Sequence, residues 1–116
     1  MVKSIDGYWM HLIAPGTFLQ QLTIPQLPSG TNVFASISLS SVNTLFDRND
    51  PNPKFATTGQ ISSYTTYLPD GSISGPQSPP NLGLQNSIFI ENCATITFTL
   101  SGQRVAALAQ VSVFRY

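Results

Sequence analysis

Aromatic and amide side chains give this sequence its clearest capacity for molecular recognition. Trp9 and His11 lie two positions apart near the start, and Tyr64 and Tyr67 lie three apart in the middle. Aromatic rings stack on the apolar C–H faces of sugars, and amides pair with sugar hydroxyls. These four side chains therefore predict a shallow carbohydrate site. The same aromatics also suit the core of a β-domain, and the sequence leaves that alternative open.

An oxygen-rich segment reading DRNDPNPK supplies the remaining candidate ligand-binding residues. It contains Asp47, Asn49, Asp50 and Asn52. Carboxylate and amide oxygens are the ligands that calcium prefers, although Pro51 stands where an EF-hand loop would need a ligand. Clusters of Asx residues and proline are equally typical of ordinary turns. The segment therefore predicts a binding loop that needs no cofactor, with calcium as the alternative.

The side chains needed for catalysis are scarce. His11 is the only histidine and Cys93 the only cysteine, so one chain cannot furnish the His and Cys ligands of a zinc or copper site. Cys93 precedes Ala94 in an apolar segment, which favours a buried, inert thiol. No G-x-S-x-G elbow is present, because Ile73 takes the central position of the similar segment at 71–75. We therefore expect no enzymatic activity.

Charge is sparse and balanced. Charged residues make up 9% of the chain, and the formal net charge is zero. The basic residues are scattered rather than clustered, which argues against a nucleic-acid surface. A neutral surface rich in Ser, Thr, Asn and Gln has little self-repulsion. This balance predicts a homo-oligomer, for which a trimer would suit a jelly roll with an apolar C-terminal strand.

The length of 116 residues is enough for one core, so we expect a single domain over residues 1–116. The single cysteine excludes an intrachain disulfide. The first residues lack the continuous apolar stretch of a signal peptide, and no window is long and apolar enough to span a membrane. The expectation is cytosolic synthesis, followed by non-classical release or incorporation into a particle.

Alternating apolar and polar residues, a period of two, predict β-strands throughout the chain. The clearest strand covers Asn32–Val42, where Val33, Ala35, Ile37 and Leu39 share one face. In Thr95–Leu100 the apolar residues alternate with threonines, and this strand is expected to start upstream, near Ser87. The period of two continues through Val105–Val113, which favours a strand over a helix there.

Turn-forming residues place the boundaries between the remaining strands. Ala14-Pro15-Gly16 predicts a hairpin turn between strands Tyr8–Ile13 and Thr17–Ile24, and Ser101-Gly102 predicts another before the last strand. Pro69-Asp70-Gly71 should end the strand Gln60–Leu68. The stretches 47–54 and 72–84 read as loops, and long loops on β-scaffolds often carry binding sites.

These patterns together predict an all-β fold, an antiparallel β-sandwich of about six or more strands. A jelly roll is one form of it, and a small up-and-down barrel is the alternative. For function, the aromatic and amide residues favour a non-enzymatic lectin-type module. The alternative is a structural or assembly subunit of a virion, phage particle or extracellular fibre, for which neutral surfaces and self-association are expected.

Overall fold

The computed structural model describes residues 2–44, 56–79 and 86–116, and they form an all-β domain. Its five strands are β1 (Ser4–Thr23), β2 (Val33–Thr44), β3 (Ala56–Thr66), β4 (Ser87–Ile90) and β5 (Cys93–Arg115). Every pairing between them is antiparallel. β1 pairs only with β5 among the described strands, and the sheet does not close into a barrel. The predicted antiparallel β-sandwich is therefore confirmed, and the barrel alternative is not.

The chain forms one long antiparallel ribbon. β1 pairs with β5 along almost its whole length, beginning with Ser4 opposite Arg115. Farther along, β2 pairs with β4, and isolated bridges join Tyr64 and Tyr67 to residues 73–77. Each pairing lies inside the previous one in sequence, so two halves of the chain run side by side towards a common tip.

The tip of the ribbon is the turn predicted at residues 69–71. The Leu68 N–H donates to the Ser72 carbonyl over 2.7 Å, and the Gly71 N–H donates to the Leu68 carbonyl over 2.9 Å. Gly71 has a φ of 87°, a left-handed conformation that glycine adopts without steric cost. This turn was readable from the sequence because a proline and a glycine supply the two unusual backbone angles locally.

The ribbon passes back and forth between two layers. Its first bend lies at Arg104, whose φ is 55°, opposite a register shift between Ala14 and Thr17, and a further crossing lies between β4 and β5. The first layer contains residues 4–14 of β1, residues 105–115 of β5, β2 and β4; the second contains residues 17–23, residues 93–103, β3 and residues 73–77. A rolled ribbon with four segments in each layer is a jelly roll.

The hydrophobic core fills the space between the layers. Phe98 and Ile96 of the second layer and Val111 and Val113 of the first are fully buried in one cluster. Close packing of the layers is visible at Gly59, where an added Cβ would lie 3.3 Å from the Ile37 side chain. Residues of β2 and of the segment after Ser87 supply most of this core, as their alternation predicts.

Both hairpin turns predicted inside the ribbon are wrong. Ala14-Pro15-Gly16 does not reverse the chain, because β1 continues to Thr23 against the same partner strand. The register shift there is a β-bulge, which bends a strand instead of ending it. Ser101-Gly102 likewise lies inside β5, where both residues pair with β1 on one side and β3 on the other.

The prediction of one continuous strand starting near Ser87 is wrong as well, because the structure has two separate strands there. β4 ends at Ile90, and a turn containing Asn92, with a φ of 52°, leads into β5. β4 lies in the first layer beside β2, whereas β5 begins in the second layer beside β3. In the predicted loop at 72–84, Gln77 bridges back to Tyr64 of β3 and Ile73 to Tyr67 just after it, and residues 80–84 lie outside the described chain.

Hydroxyl groups bond to one another across the outer face of the second layer. On β5, Thr95 pairs with Thr65 at 2.6 Å, Thr97 with Thr23 at 2.9 Å, Thr99 with Ser62 at 3.0 Å and Ser101 with Thr58 at 2.7 Å. We call these four pairs the hydroxyl ladder. Cross-strand pairs of this kind stabilise a sheet while keeping its outer face polar.

Candidate functional site

Trp9 and His11 lie on the first arm of β1, residues 4–14, and their side chains are exposed. Inward and outward positions alternate on this arm, so Met10 and Leu12 are 5% and 3% exposed while Trp9 is 59% exposed. The indole of Trp9 is therefore not part of the core. It is available for contact with a ligand.

A cleft of about 180 Å³ opens beside Trp9. Its walls come from both arms of β1: Trp9, Met10 and His11 from the first arm, and Gln20, Gln21 and Leu22 from the second. The two arms belong to different layers, so the bend in the ribbon brings them together at one side of the sandwich. We call this the Trp9 cleft.

The Trp9 cleft combines an aromatic surface with neutral hydrogen-bonding groups. Gln20 and Gln21 each offer amide donors and an acceptor, and the His11 imidazole offers a nitrogen of each kind when neutral. Met10 is buried and Leu22 packs against the core, so these two supply the apolar part of the wall. None of the lining residues is a Lys, Arg, Asp or Glu. The arrangement suits a neutral, polyhydroxylated ligand.

The two tyrosines predicted to join Trp9 lie elsewhere. Both follow or belong to β3, which β5 separates from β1. Tyr64 packs against the hydrophobic core, and its backbone pairs with that of Gln77. The Tyr67 hydroxyl donates to the Leu27 carbonyl and accepts from the Gln26 amide at 3.0 Å. The structure thus brings His11 to Trp9 but does not bring Tyr64 or Tyr67 there.

The predicted loop residues Asp47, Asn49, Asp50 and Asn52 lie outside the described residues. Their contribution to a ligand or calcium site therefore stays a prediction. Within residues 2–44, 56–79 and 86–116, no group of three His, Cys, Asp or Glu side chains is placed to share a metal ion. The Trp9 cleft is accordingly described by its aromatic and amide groups alone.

Gln20 and Gln21 are the site residues that sequence reasoning missed. They are adjacent in a strand, so a period of two assigns them to opposite faces and does not mark them as a pair that shares a site. What brings them to Trp9 is the bend between Ala14 and Thr17, read from the sequence as a hairpin turn. Had the sequence been interpreted as one bent strand over β1, positions 9 and 21 would have been predicted to lie on facing arms of that strand.

A second, more open concavity of about 210 Å³ adjoins His11 on the outer face of the first layer. Its lining is mainly apolar and consists of His11, Leu12, Ile13, Ser41, Asn43, Ala106, Ala107 and Leu108. It offers few hydrogen-bonding side chains, and it contains no aromatic ring besides the imidazole. It is a less suitable place for a polar ligand than the Trp9 cleft.

Two ionisable groups have shifted pKa values, and neither belongs to the cleft. Burial raises the pKa of the Cys93 thiol to about 12, so the thiol stays protonated and unreactive at neutral pH. Hydrogen bonds from the Ser72 hydroxyl at 2.6 Å and the Ser72 N–H at 2.9 Å lower the pKa of Asp70. These bonds stabilise the turn at the ribbon tip, and the buried state of Cys93 agrees with its predicted inertness.

An apolar band crosses the outer face of the first layer at the end away from the bend. One cross-strand row contains Ile5, Phe114, Phe34 and Phe89, and Tyr116 lies beside Phe89. We call these five residues the apolar row. Ile5 is 61% exposed and Phe89 51%, and the ring centroids of Phe34 and Phe114 lie 6.4 Å apart. The row is a contiguous apolar surface in contact with solvent.

No protein-family model, curated protein or solved structure matches this chain. The described residues contain no helix of the length and hydrophobicity that crosses a bilayer. Function therefore has to be inferred from the groups that the fold exposes. Two of them stand out: the Trp9 cleft at the side of the sandwich, and the apolar row on the face of the first layer.

Proposed function

We propose that this chain is a non-enzymatic recognition module of lectin type, which binds carbohydrate in the Trp9 cleft. The observation that carries the proposal is the exposed indole of Trp9 beside Gln20, Gln21 and His11. Sugars present alternating apolar C–H faces and hydroxyls, and they are recognised by an aromatic ring flanked by amides. The lack of Lys, Arg, Asp and Glu among the lining residues favours neutral over acidic saccharides.

The dimensions of the cleft set the expected affinity. A concavity of about 180 Å³ accommodates one sugar ring rather than a long chain. Because the cleft is shallow, a bound ring keeps much of its surface in water, and single-site dissociation constants of about 1 mM are expected. Useful binding would then depend on several clefts engaging a multivalent glycan.

The test is a glycan array probed with the full chain, run in parallel with calcium and with a chelator. Binding to related neutral glycans supports the proposal, and loss of binding in chelator would implicate the Asp47–Asn52 loop. Because Trp9 is the only tryptophan, intrinsic fluorescence then reports directly on the cleft. A titration with each array hit should change the Trp9 emission saturably.

Substitution of Trp9 tests the location of the site. Trp9→Ala should weaken glycan binding by about tenfold or more, since the stacking surface is lost. Stability should change by less than about 0.5 kcal/mol, because the side chain is largely exposed. Phe18→Ala is the matched control: Phe18 is 51% exposed on β1 but does not line the cleft. An empty array, or equal losses in both variants, would contradict the proposal.

A structural or assembly subunit is the second candidate, and the apolar row favours it. A module that binds only soluble glycan has no need of a contiguous apolar surface on four strands. Assembly into a particle or fibre would bury that surface against another subunit. The array separates the candidates. An assembly subunit gives no reproducible glycan binding, whereas a lectin binds glycan reproducibly whether or not it assembles.

A further inference from the structure

We infer that the outer face of the first layer is a homotypic interface, on which a second copy of this chain packs in an isologous, two-fold arrangement. The inference does not depend on glycan binding, because its main contacts come from the apolar row, which shares no residue with the Trp9 cleft; Trp9 itself lies on an edge strand of this face. It rests on the composition of this face, its area and the position of the charges at its rim.

The composition of the face differs from that of a solvated sheet. Successive outward rows follow one another along the strands. After the apolar row comes a row of Gly7, Ser112, Ser36 and Ser87, and then a row of Trp9, Gln110 and Ser38. No described outward position on these four strands is charged. The charged residues nearest the apolar row on their strands, Asp6 and Arg115, point to the opposite side and pair with each other at 2.8 Å. Flat, uncharged and aromatic-rich surfaces are typical of interface centres.

The area of the face is sufficient for a stable pair. Three of the four strands present about ten residues each and β4 presents four, so at about 4.8 Å between strands and about 3.3 Å per residue the face covers roughly 550 Å². Two copies would thus bury about 1,100 Å², just above the roughly 1,000 Å² that a specific interface needs. Aromatic rings in the apolar row, near the end of the face away from the bend, would supply most of the stabilisation.

Lys3 and Glu91 select one occupant and one orientation. The last cross-strand row of the sheet consists of Ser4, Arg115, Val33 and Ile90. Lys3 immediately precedes Ser4 and Glu91 immediately follows Ile90. The two charges therefore flank the same end of the sheet, at its opposite edges. Both are exposed. A two-fold axis parallel to the strands places β1 of one copy opposite β4 of the other. Each Lys3 then faces a Glu91 of the second copy, and the two like-charged pairs stay apart.

Self-association would also bring two Trp9 clefts into one particle. Each cleft lies between the arms of β1, at the side of the sandwich, and its glutamines come from the second layer, which the interface does not include. Two linked weak sites bind a multivalent ligand more tightly than either alone. Glycan binding and pairing nevertheless have separate readouts, so failure of one leaves the other intact.

The first test measures the mass of the full chain by sedimentation velocity over protein concentrations up to about 0.5 mM. Wild type should move from monomer to dimer. Ile5→Thr and Phe89→Thr should each raise the dimer dissociation constant by about tenfold or more, because each removes an apolar side chain of the apolar row. The matched control is Leu19→Thr: Leu19 is 60% exposed on the same strand but lies in the second layer, and its loss should leave the constant unchanged.

A charge swap tests the orientation. Lys3→Glu and Glu91→Lys should each weaken pairing by about fivefold, since each places like charges opposite one another twice per dimer. The double variant restores the opposite charges and should recover wild-type affinity. Circular dichroism of every variant checks that the β-fold is retained, and all five substituted positions are exposed, so unfolding is not expected.

Four outcomes would overturn the inference. A wild-type chain that stays monomeric over the whole concentration range excludes the interface. Dissociation by Leu19→Thr as strong as that by Ile5→Thr would place the contact elsewhere, and a trimer would be incompatible with two-fold pairing. Failure of the double variant to recover affinity would refute the orientation that defines the proposal.

Discussion

The outer faces of the two layers are built on the same long strands, yet they have opposite chemistry. In residues 93–103 of β5 the outward positions carry the hydroxyl ladder, with every β5 hydroxyl bonded to one on a neighbouring strand. In residues 105–115 the outward positions include Leu108 and Phe114, the latter part of the apolar row. The change occurs at Arg104, where the ribbon bends.

This contrast shows how one chain can present a polar outer face on one layer and a largely apolar outer face on the other. Threonine keeps β-propensity and adds a hydroxyl, so the second layer can be polar outside without losing strand stability. The first layer has serine at several of its polar outward positions, including Ser36 and Ser38, and phenylalanine at 34, 89 and 114. The difference lies in the outward residues only, because both layers bury the same aliphatic types against the shared core.

The largest effect is expected from breaking the core that the two faces share. Phe98 is fully buried in the second layer, and Phe98→Ala should lower the free energy of unfolding by about 3–5 kcal/mol through lost burial and a cavity. Phe89→Ala, on the exposed first-layer face, should cost less than about 0.5 kcal/mol in the monomer. Urea denaturation at low protein concentration measures both. Comparable losses would mean that Phe89 is packed in the monomer.

A smaller effect is expected from alkaline pH acting on Cys93, at the start of the second layer. Burial raises its pKa from 9.0 to about 12, so the folded state favours the protonated thiol. The contribution of this thiol to the free energy of unfolding is fully present below pH 9 and is lost as the pH rises towards 12. At pH 10.5 the loss should be about 2 kcal/mol.

The control for this titration is Cys93→Ala, which lacks the ionisable group. Tyrosine and lysine ionisation affects both proteins equally, so the difference between their stability curves isolates the thiol. Parallel curves from pH 8 to about pH 11 would show that Cys93 does not titrate as a buried group.

The smallest of the expected effects concerns the hydroxyl ladder itself. Thr99 is 8% exposed, and Thr99→Val leaves the Ser62 hydroxyl without this partner, at a cost of about 1 kcal/mol. Ser38→Val on the first-layer face exchanges an exposed hydroxyl for a β-branched residue and should change stability by less than about 0.5 kcal/mol. Thermal denaturation of the pair tests the contrast. Equal effects would show that the ladder adds no stability.

Most of the fold was predictable from the sequence because burial in a sheet has a period of two. Residues such as Ile96, Phe98, Val111 and Val113 alternate with polar positions, and all four are buried. The turn at 69–71 was also predictable, since its proline and glycine act locally. The bends were not. A Pro-Gly pair can start a hairpin or form a bulge, and which one occurs depends on pairing with a strand about 90 residues away.

The candidate site was predicted only in part, for the same reason. Trp9 and His11 share an exposed side of β1, but their neighbours Gln20 and Gln21 reach them through the bend. Tyr64 and Tyr67 carry the same chemistry as Trp9, and sequence alone cannot tell an aromatic that packs on the core from one that faces solvent. Leu39 shows the limit of alternation: it shares the pattern of Ile37, yet a register shift after it leaves it 40% exposed.

The nested pairing of the ribbon also determines the entropy of forming the fold. Joining Ser4 to Arg115 in an otherwise unfolded chain closes a loop of nearly the whole length, whereas joining Tyr67 to Ile73 closes a very short one. Within each of the nested ladders, every further pair adds only a small increment of loop to the one before it. The chain can thus assemble from its tip outwards, and the cost of its most distant contacts is divided among many short steps.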